Sequence, residues 1–406
     1  MNSKNYVVIS ADGHVGADLL DYKPYLEQRW HEDFDAWAKG FIDPYEERFL
    51  SSDVSVNWDS DLRLQQTEAD GVAAELLFPN TVPPFYPQNQ VFVPLPPQDR
   101  GEYERRLAGI RAHNRWLADF CSLAPTRRAG IAQIMVNDID DAVEDVKASV
   151  DAGLRGGILF PLIPPGSHLP PMWSEEYDPI WAACSDLGVP VNTHSGAGLP
   201  EYGFDPVGQA MLFTEALWFA HRPLWHLIFG AVFDRFPKLN LILTEQGAGW
   251  VPATLATLDG IATRASMDGS PGSFYAGEAL SRLKKRPSEY FRSNCFVGAS
   301  FMHSSEVDLR DEIGLDRIMW GSDFPHSEGT YPYSVEALRA AFVGVPEPEV
   351  RQMVGGTAAK VYGFDLDVLQ EVADRIGPSP ELVATPLVDV PDSFCNAFSM
   401  GPTKSA

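Results

Sequence analysis

Four residues able to bind a metal stand far apart in this chain of 406 residues, each at or just beyond the end of a short apolar run. Asp12 and His14 follow Tyr6–Ser10, His194 follows Val189–Thr193, and Asp323 follows Arg317–Trp320. An Asp-x-His pair in an extended segment turns both side chains to the same side, where they can share one ion. Two carboxylates and two imidazoles form a mixed oxygen and nitrogen set. It suits a single divalent cation, Zn²⁺ or Mn²⁺ first, with Fe²⁺ and Co²⁺ compatible. Alone, a histidine at a strand end is more often a hydrogen-bonded core residue, and a carboxylate near a turn is more often a cap. Recurrence at three strand ends is what points to a metal.

Proton transfer needs a further group, and two are candidates. Glu245 lies in Thr244-Glu-Gln-Gly-Ala-Gly-Trp250, where a carboxyl beside a metal and walled by Trp250 has its pKa pushed towards neutrality. His221 lies in a helical stretch read as Leu212 to Phe233, on one face with Trp218 and Trp225; packing against those tryptophans is its bland alternative. Asp323 is counted with these two as catalytic as well as metal-binding. His326 and Glu328 follow in the same loop, placed to orient Asp323 or a metal-bound water, with capping or bracing of the loop as the plain alternative. Arg63, Arg222 and Tyr331 are candidates to bind a substrate carboxylate or hydroxyl.

Residues so distant in sequence meet only if the fold gathers strand ends. Eight apolar or β-branched runs recur with helix-length material between them: 6–10, 73–78, 129–136, 156–160, 189–193, 239–244, 294–298 and 317–320. Such alternation implies parallel pairing through right-handed crossovers, and a count of eight favours a closed (β/α)₈ barrel, whose C-terminal strand ends converge on one mouth. The fallback is an open doubly wound sheet. No Gly-x-Gly-x-x-Gly follows the first run and no phosphate-binding Gly-x-x-x-x-Gly-Lys-Ser/Thr occurs, so nucleotide-binding folds lose their support. The expected organisation is a single barrel over 1–364, with an insertion over 15–70 and a Pro- and aromatic-rich loop over 79–104 that reads either as a lid over the pocket or as plain structural packing. A C-terminal extension over 365–406 is expected to wrap the surface or meet another subunit.

Composition narrows the partners. A net charge of −25 repels a phosphate backbone, so nucleic acid is not an expected partner. No stretch of about 18 apolar residues and no leader-like start is found, so neither membrane spanning nor secretion is expected. Cys121, Cys184, Cys295 and Cys395 are scattered without a Cys-x-x-Cys pair, as in buried cytoplasmic thiols.

Four segments together resemble the amidohydrolase-related barrels of the amino-carboxymuconate-semialdehyde decarboxylase type. They are Ile9-Ser-Ala-Asp-Gly-His-Val15, Val191-Asn-Thr-His-Ser-Gly196, Phe236-Pro-Lys-Leu239 and Trp320-Gly-Ser-Asp-Phe-Pro-His326. The resemblance implies that Asp12, His14, His194 and Asp323 fall on metal-binding positions. It also implies a non-oxidative decarboxylase of an aromatic or unsaturated carboxylic acid, a small-molecule substrate, and a homodimer. The alternative is a hydrolase of an amide, ester, lactone or C–C bond that uses a metal-activated water. Two departures matter. Asp12 stands where relatives carry His or Glu, and Glu245 stands where decarboxylases of the group commonly carry a catalytic His. Ile158-Leu-Phe-Pro161 offers no lysine for a carboxylated bridge between two metals, so a mononuclear site is expected.

Overall fold

The computed structural model describes residues 4–41, 50, 52–87, 95–203 and 205–399. Every one of the eight apolar runs contributes strand. The strands are β1 (Ile9–Ser10), β2 (His14–Val15), β3 (Ala74–Pro79), β4 (Arg128–Gly130), β5 (Ala132–Gln133), β6 (Ile158–Leu159), β7 (Val191–His194), β8 (Leu241–Thr244), β9 (Cys295–Ser300) and β10 (Ile318–Gly321). The count exceeds eight because the first and third segments each break in two around a turn or bulge. All pairings are parallel: β1 and β2 lie on β3, β3 on β4, and β5 to β10 follow in sequence order.

Two sets of backbone hydrogen bonds link these groups. Ile131 N donates to Leu77 O while the next residue, Ala132, donates to Gly157 O. At the other edge Ala11 N donates to Trp320 O, Asp323 N to Asp12 O and His14 N to Phe324 O, at 2.7–2.8 Å. The two aspartates expected at the metal are therefore tied backbone to backbone.

The strands are apolar on both faces, as parallel strands covered on two sides must be. Ile242, Phe296 and Met319 join one core cluster with Phe78 and Tyr362. Their neighbours Leu241, Leu243, Val297, Ile318 and Trp320 join another with the surrounding helices. This is the two-residue alternation of β-structure. The helices begin where the sequence offers caps: Asp138 accepts from the N–H groups of Asp140 and Asp141 at the head of Ile139–Asp151, and Asp59 does the same for Ser60–Ala69.

Between β2 and β3, Tyr22 and Phe34 are buried with Phe85 and Trp116, and Trp37 Nε1 donates to Tyr86 O at 3.1 Å. The aromatics at 85 and 86 thus pack on the preceding insertion; Phe92 and Pro94 of the expected lid fall outside the described residues. After 364 the chain forms a helix, Leu366–Ile376, that buries Leu369 and Ala373, and Pro378 O accepts from Tyr6 N. Among the described residues no helix is long and apolar enough to cross a membrane.

One helical expectation needs correcting. The stretch 212–233 is not continuous: helices Pro206–Ala220 and Arg222–Phe229 meet at His221, followed by Val232–Arg235. Pro223 has no N–H to continue the first helix, so the chain restarts there. Trp218 is left 62% exposed while His221 turns inward. The shared face with Trp218 and Trp225 is lost.

Candidate metal centre

The C-terminal ends of the parallel strands converge. His14 Nε2 lies 3.2 Å from Asp12 Oδ1 and 3.1 Å from Asp323 Oδ1, and His194 Nε2 lies 3.3 Å from the same Asp12 oxygen. Asp12 and Asp323 are fully buried and His14 nearly so. Ligand atoms of Asp12, His14 and His194 fall within 4.8 Å of one another, as do those of His14, Asp323 and His326.

The nitrogens of each imidazole divide their work. His14 Nδ1 donates to Pro79 O at 3.2 Å, and His194 Nδ1 faces Ser195 O at 3.3 Å and Glu245 Oε2 at 3.2 Å. An acceptor at Nδ1 fixes the tautomer and frees Nε2 as a ligand. His14 Nε2 and Asp323 Oδ2 are buried without a hydrogen-bond partner. Buried polar atoms rarely go unpartnered, and a cation between them would satisfy both. The donor set and these two atoms fit one divalent ion.

Electrostatics agree with carboxylate ligands kept charged. Burial opposes ionisation of Asp12, but His194 and His14 outweigh it and hold the carboxyl far below its usual range. Burial likewise opposes charging His14, and Asp12 and Asp323 override it to raise its pKa; a cation between them would take the place of that proton, since only the neutral imidazole ligates. Glu245 behaves oppositely: burial pushes its carboxyl up to about 7 against the pull of His194, with Asp323 and Asp12 adding to the rise. Glu245 and Asp323 both adopt left-handed backbone, with φ of 57° and 58°. Non-glycine residues seldom hold that conformation unless the surroundings enforce it, and such strain gathers at working sites.

The other expected site residues separate into three groups. His326 is beside Asp323, its Nδ1 2.8 Å from Oδ1, while its Nε2 meets Asn80 Oδ1 at 3.1 Å. Glu328 joins Glu245, Asp323 and His326 with ligand atoms within 4.8 Å of one another. His221 stacks on Trp250, ring centroids 3.8 Å apart, and burial lowers its pKa to about 4, so it is neutral at physiological pH. Arg222 lies over the Phe219 ring and Tyr331 against Phe324. Among the described residues no hydrogen bond or ion pair ties Arg222 to the cluster. Arg63 must be corrected as a substrate anchor: it has no exposed surface, and its donors end on Glu75 and backbone carbonyls.

Sequence reasoning missed three neighbours. Ser195 Oγ donates to Glu245 Oε2, Ser300 Oγ donates to Asp12 Oδ2, and Asn80 carries His326. Each stands at or just past a strand end, β7, β9 and β3 respectively, which is the only signal that could have singled them out.

The Amidohydrolase family model matches residues 91–364, more than half of the chain. A curated relative, the gamma-resorcylate decarboxylase of a Rhizobium species, is 28% identical over 223 residues, 53% of this chain and 65% of that protein. The matched region therefore spans just under two thirds of that relative's length. Two solved structures share the fold. An amidohydrolase from Mycobacterium avium subsp. paratuberculosis has a TM-score of 0.65 at 19% identity, over 89% of this chain and all of its own. A dihydroxybenzoic acid decarboxylase from a Polaromonas species, with bound manganese and the inhibitor 2-nitroresorcinol, has a TM-score of 0.58 at 20% identity, over 89% and 97%. By the extent of the family match, the chain belongs to the amidohydrolase family.

Proposed function

We propose that this protein is a metal-dependent, non-oxidative decarboxylase of an aromatic or unsaturated carboxylic acid. In this reading one barrel over 1–364 is closed by the hydrogen bonds from Ala11 to Trp320 and from His14 to Phe324. Asp12, His14, His194 and Asp323 hold one divalent ion, manganese or zinc. The observation that carries the metal assignment is the pair of buried atoms that make no hydrogen bond, His14 Nε2 and Asp323 Oδ2, inside a convergent ligand set. The names of the relatives support the reaction.

When bound, the ion supplies Lewis acidity towards the oxygens of the acid. The chain's own part is proton delivery. Ser195 and His194 engage Glu245 Oε2, which leaves the carboxyl proton on Oε1. Glu245 passes that proton to the carbon bearing the substrate carboxylate. The C–C bond then breaks, its electrons return to the ring or double bond, CO₂ departs, and Glu245 recovers a proton from solvent. His326, braced by Asn80, orients Asp323. A second reading, hydrolysis, rests on Glu245 standing where decarboxylases of the resembled group carry His; the same carboxyl would then relay the proton of an attacking water.

The two readings separate in one assay. Protein loaded with Mn²⁺ or Zn²⁺ and offered 2,6-dihydroxybenzoate and related hydroxybenzoates is expected to release CO₂ and the matching phenol in equal amounts. Cleavage of esters or lactones with no CO₂ from any acid would transfer the protein to the hydrolases.

The proposed assembly is a homodimer. Helix Pro206–Ala220 buries only Gly208 and Ala220 and leaves Val207, Phe213 and Trp218 at least 62% exposed. An apolar helix with so little packing needs a covering surface, which a second copy supplies; sedimentation velocity would show a monomer if that were wrong. The four buried, unpaired cysteines support a cytoplasmic setting.

A further inference from the structure

Arg63 is among the largest side chains sealed from solvent, yet it lies on the polar insertion helix Ser60–Ala69. Its fork reaches four separate pieces of chain. Nε and Nη2 donate to the two Glu75 oxygens at 3.0 and 2.8 Å, on β3. Nη1 donates to His14 O at 2.8 Å and to Val56 O at 3.3 Å. Nη2 also meets Phe324 O at 3.4 Å, and the guanidinium lies 4.8 Å from the centre of the Phe324 ring. One of these acceptors belongs to a proposed ligand, His14. Another belongs to the residue after a second ligand, Asp323.

The contact is tight. A Cβ on Gly13, between Asp12 and His14, would come within 3.2 Å of Arg63 Nη2 and of Glu75 Oε1 and within 3.1 Å of Leu76 O. Glycine thus lets the guanidinium approach the ligand turn closely. A buried cation costs several kcal/mol to desolvate, and Glu75 offsets that cost only in part. Stability alone gives weak reason to keep it there. What a planar, five-donor fork can do and an apolar side chain cannot is fix carbonyls on separate strands at set distances.

We propose that Arg63 is a positioning residue of the metal centre: it sets the spacing between the Asp12–His14 turn and the Asp323 loop, and so the width of the ion's seat. The inference rests on the ligand set proposed above. Lysine retains the charge but has a single nitrogen and cannot bridge both segments.

The test uses Co²⁺ as the probe, whose visible absorption reports ligand geometry. Arg63→Lys is expected to weaken Co²⁺ binding ~10- to 100-fold, in the range seen when residues that orient ligands are altered, and to change the absorption bands. Arg106→Lys is the control. Arg106 is also buried and bonds Leu95 O and Glu102 Oε1, away from the ligand strands and from the helix that carries Arg63; its replacement is expected to lower thermal stability with Co²⁺ affinity and spectrum unchanged. If Arg63→Lys does not fold, Glu75→Gln, which loosens the same fork, is expected to shift affinity and spectrum in the same direction. Wild-type affinity and spectrum in the folded Arg63 variant, or in Glu75→Gln, would overturn the proposal, as would an equal loss in Arg106→Lys. Failure of the wild-type protein to bind Co²⁺ would instead refute the ligand set itself.

Discussion

His14 and His194 turn the same atom towards the same oxygen of Asp12, but their surroundings differ. The His14 side is sealed at its ligands, with 5% and 0% of the His14 and Asp323 side chains exposed, though His326 beside them keeps 15%: the His14 ring packs against Phe78 and His326, and Arg63 grips the backbone of both segments. At its far end the loop that carries Asp323 is also held by Asp70, which accepts from the N–H and hydroxyl of Ser334. The His194 side is more open. His194 and Glu245 retain 14% and 17% of their side-chain surface, and the chain beyond Ser195 leads to the scarcely packed helix 206–220. A single ion would touch both halves. One half has the structure of a holder, over-determined by buried hydrogen bonds; the other has the exposure of a place where a substrate arrives and a proton moves.

That contrast can be broken most sharply on the open half. Glu245→Gln keeps the size and the contact with Ser195 but cannot deliver a proton. Turnover is expected to fall ~10²- to 10⁴-fold, the usual contribution of a positioned acid, with metal content unchanged. His221→Ala is expected to cost far less, because a neutral ring stacked on Trp250 holds no proton to give. Comparing steady-state rates of the two variants decides it: a larger loss in His221→Ala would move the acid from the strand end to the helix junction.

The sealed half is sharpened by pH. Burial raises the Asp70 carboxyl to about 7, from 3.8, despite the hydrogen bonds from Ser334. Between those values the folded chain keeps a proton that the unfolded chain has lost, so this group's contribution to stability declines as pH rises towards 7, by ~1.4 kcal/mol per pH unit. Asp70→Asn removes the ionisation. In denaturant titrations the variant is expected to gain on the wild type as pH rises from 5 to 8, whereas a difference constant across that range would show that Asp70 titrates normally.

Much of this was legible in the sequence because it depends on local patterns. The run 239–244 reads as a strand, and Leu241–Thr244 is one. The proposed ligand set was legible for a related reason. Once strands are parallel and gathered, their polar terminal residues must meet, whatever separates them in sequence. What escaped depends on long-range packing. The 212–233 helix was drawn as continuous because its apolar content outweighed Pro223. Arg63 looked like a free cation because nothing near it in sequence announces Glu75 as its partner or the carbonyls of His14 and Phe324 as its acceptors. Ser195 and Ser300 matter only through the carboxylates they meet across the strand ends.

The central claim is that both halves close on one ion. Elemental analysis of the purified protein and of Asp323→Ala, each equilibrated with Mn²⁺ and freed of excess, tests it directly. The account predicts about one Mn²⁺ per chain in the wild type, as expected for a mononuclear site, and almost none in the variant. Equal metal in the two proteins would contradict it.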